Sequence, residues 1–313
     1  MLSTCSPASP RSDECCLCGP LCACRRKPDW DNAINGKEPT MSNTNLGSDS
    51  NSRYMLGLKK SLMLLGAFAF GFNAAHAIHE LGHALATWAT GGCVTRLMLH
   101  PFSWSKIFYG SPPTCPLLVE WAGVVFASAC GLLLLALIRR WRGVWTVPLA
   151  MTGLCTLVVN GLYLTVDCLF LAGGDATSIV SLGTPRPFVL LAGVGLTALG
   201  LVVGHLLLPR IGLAATDGIV SRIAILEGGI GSYLLAMLVY HVCWNRSEII
   251  LWLGYVVAGL LILAGAAVGS WFIEKRWTPK LRYSSPTPSW SAAGGCLAVG
   301  GVVVVAEMMA CLK

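Results

Sequence analysis

Residues 74–92 read AAHAIHELGHALATWATGG, which puts three histidines and a glutamate inside one of the most apolar stretches of the chain. His79, Glu80 and His83 form the pattern HExxH. On a helix, positions i and i+4 project from one face, so both imidazoles can reach a single metal ion. Glu80 lies beside them, placed to take a proton from water and pass it to a leaving amine. This donor set belongs to zinc-dependent peptide hydrolysis, in which the ion lowers the pKa of water to about 7. HExxH also arises by chance, but here the setting counts against chance. An ionisable group at membrane depth costs on the order of 2.5–3.5 kcal/mol and is functional by default. The pattern therefore predicts Zn2+ held by His79 and His83, with Glu80 as acid and base. His76, one turn earlier on a similar face, is expected to support the ligands or line a cavity rather than bind the ion.

The elements that must hold these residues are membrane spans. Of 313 residues, 55% are hydrophobic and only 12% charged, and the mean hydropathy is +0.66. Such a composition indicates an all-α, multi-pass integral membrane protein embedded in a lipid bilayer. Its net charge of +7 sits in short clusters between apolar runs, where Lys and Arg act as topology signals. No basic stripe with interleaved aromatics occurs, so nucleic acid is excluded as a partner. Seven apolar segments approach the roughly 20 residues needed to cross a bilayer: 58–78 (continuing helically to about 90), 117–138, 144–171, 187–208, 223–244, 249–272 and 289–312. No internal repeat suggests an inverted-repeat transporter. Arg53, Lys59 and Lys60 precede the first segment, and Arg139, Arg140 and Arg142, then Arg210 and Arg222, then Lys275, Arg276, Lys280 and Arg282 fill alternate loops. That asymmetry predicts a cytoplasmic N-terminus and an outer C-terminus.

Residues 1–52 are rich in Ser, Asn, Pro, Gly and Cys without helical or strand period, and are read as a disordered tail. Six of the fourteen cysteines lie in it. The run CCLCGPLCAC (15–24) can bind a metal or carry acyl chains, although its spacing matches no zinc module. Met41 or Met55 is an alternative start, and no cleavable signal peptide opens the chain. The other eight cysteines stand singly in apolar segments and are expected to pack as small hydrophobes. Residues 53–210 then form the candidate catalytic core, and 211–313 carry three further spans.

A catalytic zinc site has three protein ligands and an open fourth position, so one ligand is missing from HExxH. The first span runs outward, which puts HExxH toward its outer end. Near that level lie Glu120 at the start of span two, Asp167 and Asp175 at the end of span three, and His241 at the end of span five. Glu307 in span seven lacks a motif, and Glu227 and His205 lie near inner ends. Asp175 is the first choice: in AGGDATSIVSLG, Gly173 and Gly174 permit a tight turn before a short helix ending near Gly183. Capping that helix is the structural alternative for Asp175. Asp167, in VVNGLYLTVDCLFL with Asn160 two turns before it, remains the competing ligand. Asn160 and Glu120 are expected to support the site from beside the ligands.

HELGHALATWATGGCV followed by VTRLMLHPF resembles the site-2 protease superfamily of intramembrane zinc metallopeptidases, most closely its compact bacterial-type branch without a PDZ domain. In that branch a Gly/Ser-Asp-Ala stretch precedes an aliphatic helix and a Gly-x-Pro turn. Gly174-Asp175-Ala176 and then Ile179 through Gly183-Thr184-Pro185 match in order. The resemblance covers residues 58–210 and implies that His79, His83 and Asp175 hold zinc while Glu80 is the catalytic acid and base. It implies a membrane-protein substrate segment as partner and a bacterial inner membrane as location. The Asn-Pro…Leu-Asp-Gly signature of other members is absent, which keeps Asp167 open as ligand. Residues 93–110 alternate enough to predict a small hairpin after the first span, which in the family can present an unwound substrate by strand addition. The rival readings are a metal-binding membrane scaffold or chaperone that cleaves nothing, and a transporter. The intact Glu80 argues against the first, and the clean apolar spans four, six and seven against the second.

Overall fold

Apolar helices in lipid gain nothing by hiding from water, so their association depends on small residues that let backbones approach. The chain supplies them, and the computed structural model shows where they act. It describes residues 46–311 apart from 104, 139–140, 142–145, 171–172, 208–217, 245–248 and 278–287. The cysteine-rich run lies outside the described residues.

The order is α1 (Leu46–Ala89), β1 (Cys93–Met98), β2 (Lys106–Ser111), α2 (Pro116–Ile138), α3 (Thr146–Phe170), α4 (Asp175–Ser181), α5 (Arg186–Leu207), α6 (Ile219–Leu226), α7 (Ser232–Trp244), α8 (Ile249–Trp277) and α9 (Trp290–Cys311). Seven stretches are long and apolar enough to cross a membrane, α6 and α7 forming one of them. The chain is a multi-pass membrane protein. Residues 46–52 are the first turns of α1, whose 44 residues reach about 66 Å at 1.5 Å per residue, twice a bilayer core. α6 passes into α7 through a π-helical turn over Glu227–Gly231, which no apolar period could reveal.

α3 lies at the centre, flanked by α2 and α5. Gly131 of α2 faces Thr156 and Gly161 of α3 faces Thr197 of α5, each so closely that a Cβ would collide. Gly66 of α1 meets Cys296 of α9 in the same way, and Gly300 meets the Gly66 carbonyl. Buried apolar side chains fill what remains. Leu64, Phe68 and Phe72 pack with Leu226, Tyr233, Met237 and Trp252, and Val124, Leu164, Ile179 and Val189 pack under α4. Cys155, Cys168 and Cys296 sit in this interior as small hydrophobes, whereas Cys93, Cys115 and Cys243 are exposed.

The hairpin expected after the first span is present: β1 and β2 pair antiparallel, Val94 opposite Tyr109 and Met98 opposite Lys106, with bulges near Val94. Its loop does not stay on the surface. Pro101 is buried and its carbonyl accepts a 2.6 Å hydrogen bond from the Tyr233 hydroxyl. The Phe102 carbonyl accepts one from His241 Nε2 at 2.8 Å, and the Phe102 ring packs on Tyr233 and Tyr240. Asn73 of α1 donates to the Tyr233 oxygen at 3.0 Å. The loop is therefore fastened to α7, whose Tyr233 is held in turn by Asn73 of α1.

Candidate active site

Two elements bring the predicted donors together. α1 carries His79 and His83 on one face, and α4 begins at Asp175. His79 Nε2 lies 2.8 Å from Asp175 Oδ2 and 2.9 Å from His83 Nε2. His83 Nε2 is 3.3 Å from the same carboxylate oxygen. Both histidines are buried. Among the described residues, these three form the group of His, Cys, Asp and Glu that could hold a metal ion, one ligand atom from each lying within 4.8 Å of the others.

The tautomer of His83 tests whether a cation fits. Its Nδ1 donates to the Val119 carbonyl of α2 at 2.7 Å, which leaves Nε2 with a lone pair in the neutral ring. That lone pair faces the His79 imidazole and the Asp175 carboxylate, so the three side chains present together the donor types that a zinc ion takes. Tetrahedral zinc with bonds near 2.0–2.1 Å separates its ligand atoms by about 3.3 Å, so small rotations of the present side chains suffice. Burial would raise the Asp175 carboxyl, but its hydrogen bonds and charge interactions with the two imidazoles hold it well below the ordinary carboxylate range. An anionic oxygen suits a hard cation.

The α1–α2 contact that seats His83 depends on two glycines. A Cβ on Gly82 would lie 2.6 Å from the Ala122 carbonyl, and one on Gly123 would run into the His83 ring. Gly123→Ala is expected to force the ring off the Val119 carbonyl. Overpacking of this kind costs about 1–3 kcal/mol, so zinc affinity should fall by about tenfold or more. Gly254→Ala, where nothing lies within 4 Å, should leave it unchanged. Zinc titration of the two purified variants checks this.

Asp167 does different work from Asp175. Its Oδ1 accepts from the Gly174 amide at 3.0 Å and the Thr177 hydroxyl at 2.9 Å, and its Oδ2 accepts from the Thr177 amide at 2.9 Å. Asp167 thus caps α4 from α3, while the helix's own N-cap, Gly174, offers no side-chain bond. The structural role weighed for Asp175 falls to Asp167, and Asp175 is left facing α1. The turn between them needs Gly173 at φ +86°, a region costly for any residue with a Cβ. Gly174 lies against the Tyr163 hydroxyl, with no room for a side chain. Arg186 fastens the end of α3 by donating to the Cys168 and Leu169 carbonyls at 3.0 and 2.8 Å.

The supporting residues divide likewise. His76, His79, Glu80, Asn160, Tyr163 and Asp175 line one cavity. His76 packs its ring on Phe72, centroids 4.3 Å apart. Asn160 is buried, and its Nδ2 finds no hydrogen-bond partner among the described residues. Glu120 is half-buried and interacts electrostatically with Asp175, His83 and Glu80. Burial, then the Glu120 charge, pushes the Tyr109 hydroxyl of β2 up to about 12, so the hairpin brings a neutral phenol toward the donor set. His241, weighed as a ligand, instead holds the Phe102 carbonyl and stacks on Trp252, centroids 4.2 Å apart. Glu227, His205 and Glu307 are not in the donor group. Tyr163, Gly123 and Ser105, which also lines the cavity, were invisible to motif reading, because their roles come from neighbours remote in sequence.

Residues 72–174, 103 of the 313, match the family model described as Peptidase M50B-like. The match spans HExxH, the hairpin, α2 and α3 and bears out the resemblance to the site-2 protease superfamily. That family suggests a membrane metallopeptidase. No curated protein and no solved structure matches the chain.

Proposed function

We propose, on the premise of a Peptidase M50B-like core, that the protein is a zinc-dependent endopeptidase cleaving peptide bonds in or beside the membrane. One observation carries this reading: His79, His83 and Asp175 converge, and His79 and Asp175 line one cavity together with Glu80. His79, His83 and Asp175 would hold the ion, leaving the fourth position for reactants. Zinc there supplies Lewis-acid polarisation of the scissile carbonyl and acidifies water.

The chain's own residues do the rest. Glu80 takes the proton of the attacking water and returns it to the departing amine, the two halves of one acid–base cycle. The Asn160 Nδ2, buried and without a hydrogen-bond partner among the described residues, is available to donate to the carbonyl oxygen as charge develops on it. Val119 fixes the ring of His83, as second partners of metal-bound imidazoles do. Asp167 and Thr177 hold α4 so that Asp175 keeps its aim. The substrate is a membrane-protein segment that must unwind, since a transmembrane helix encloses its peptide bonds in hydrogen bonds. The exposed hairpin offers an edge for that unwound strand. Lys and Arg placement supports a cytoplasmic N-terminus and outer C-terminus, and the resemblance to the compact bacterial-type branch implies a bacterial inner membrane.

The test is cleavage of a single-span reporter by purified protein in nanodiscs. Removing zinc with a chelator should abolish cleavage, and stoichiometric zinc should restore it. Zinc binding with no cleavage across a panel of spans would replace the peptidase by a scaffold.

A further inference from the structure

The cavity is larger than bond cleavage requires. It offers about 150 Å³, a volume that admits a molecule the size of benzene. Along α1 its lining changes from Phe68 and Phe72 to His76, His79 and Glu80. One end is thus apolar and the other carries the donor set. Val158, Leu234, Trp252, Val256 and Gly259 complete the apolar walls. A single apolar side chain suits that end better than peptide backbone, whose N–H and C=O groups have only the hydroxyls of the lining residues Tyr255 and Ser105 to turn to.

Resting on the peptidase reading, we infer that this cavity is a side-chain specificity pocket. It receives a large apolar side chain, of phenylalanine, leucine or methionine size, from the residue bordering the scissile bond. Leu234 belongs to α7, and Trp252, Val256 and Gly259 belong to α8, all outside the span that matches the family model. Substrate selection is therefore shared between α1 and α3 and this chain's C-terminal helices, while the chemistry resides in α1 and α4. Gly259 sets the pocket's depth: a Cβ there would meet the tip of Leu234 at 2.8 Å, so a longer side chain must turn into the cavity.

Hydroxamates, which bind zinc through their head group, test this by calorimetry on zinc-loaded protein in detergent. Acetohydroxamate probes the metal alone, 3-phenylpropanohydroxamate adds one side-chain-sized ring, and dodecanohydroxamate adds an acyl chain. The phenyl compound should bind wild type at least about tenfold more tightly than acetohydroxamate, as expected for burying a ring. Gly259→Leu should shrink that gap to within about threefold, with zinc content of the same sample reporting that the variant is folded. The wild-type series stands without the variant. Equal binding of the two short compounds overturns the pocket while leaving the metal site standing, and so does a gap unchanged in Gly259→Leu with zinc intact. Tightest binding by dodecanohydroxamate replaces the side chain by a lipid acyl chain. If acetohydroxamate does not bind either, the zinc reading fails and the pocket falls with it.

Discussion

Glu80→Gln should retain zinc and lose cleavage by roughly 10²–10⁴-fold, the span attributed to a positioned acid–base group. Glutamine is isosteric with glutamate and keeps the packing of a buried residue, but it neither accepts the proton of water nor delivers one to the amine. None of the donor atoms that converge on the candidate site belongs to Glu80, so the ion should stay. Two measurements on one preparation decide the matter: zinc per chain, and the rate of reporter cleavage in nanodiscs. Full zinc with a cleavage rate like that of wild type would remove Glu80 from the chemistry and pass the proton to another carboxylate, Glu120 being near enough to interact with the same groups. Zinc lost together with activity would instead make Glu80 part of the metal site.

That experiment separates roles that sequence alone joins. HExxH is legible because helix geometry converts the spacing i, i+4 directly into proximity, and Gly-Gly-Asp because glycines before an acidic residue signal a turn into a helix. The seven spans are legible because the bilayer sets their length and composition. What sequence leaves open is anything decided by packing between remote segments. Asp167 and Asp175 stand eight positions apart in similar company, and only the fold of α4 back onto α3 shows one bonded to Gly174 and Thr177 and the other to α1. His241 reads as a polar residue at a span end, yet its partner is a carbonyl 139 positions away. The π-helical turn at Glu227–Gly231 breaks no hydropathy rule. Its Gly228 and Gly229 lie against Ser61 and Leu64 of α1, a contact with no counterpart in local pattern.

The division of labour between the two aspartates yields the second large effect. Asp175→Asn should lower zinc affinity by more than about 100-fold, a loss beyond the 10–100-fold typical of residues that merely support ligands. The carboxamide is neutral where a divalent ion needs compensating charge, and its NH₂ group would face His79 or His83 in one of its two orientations. Asp167→Asn should act more weakly on zinc and more on folding. Its carbonyl oxygen can keep two of the three bonds to Gly174 and Thr177 from the Oδ1 position and one from the Oδ2 position, and losing helix-capping bonds costs about 0.5–2 kcal/mol. Zinc affinity should then fall within the 10–100-fold range, because α4 still forms but aims Asp175 less firmly. Competition with a chromogenic chelator measures affinity, and thermal unfolding in the same detergent measures the cap. The two variants should therefore separate on two axes: Asp175→Asn weakest in zinc and near wild type in apo stability, Asp167→Asn less impaired in zinc and lower in apo stability. Intact zinc in Asp175→Asn with zinc lost in Asp167→Asn would exchange the roles. The α4 helix would then have to rotate on binding the ion, and Asp175 would become its cap.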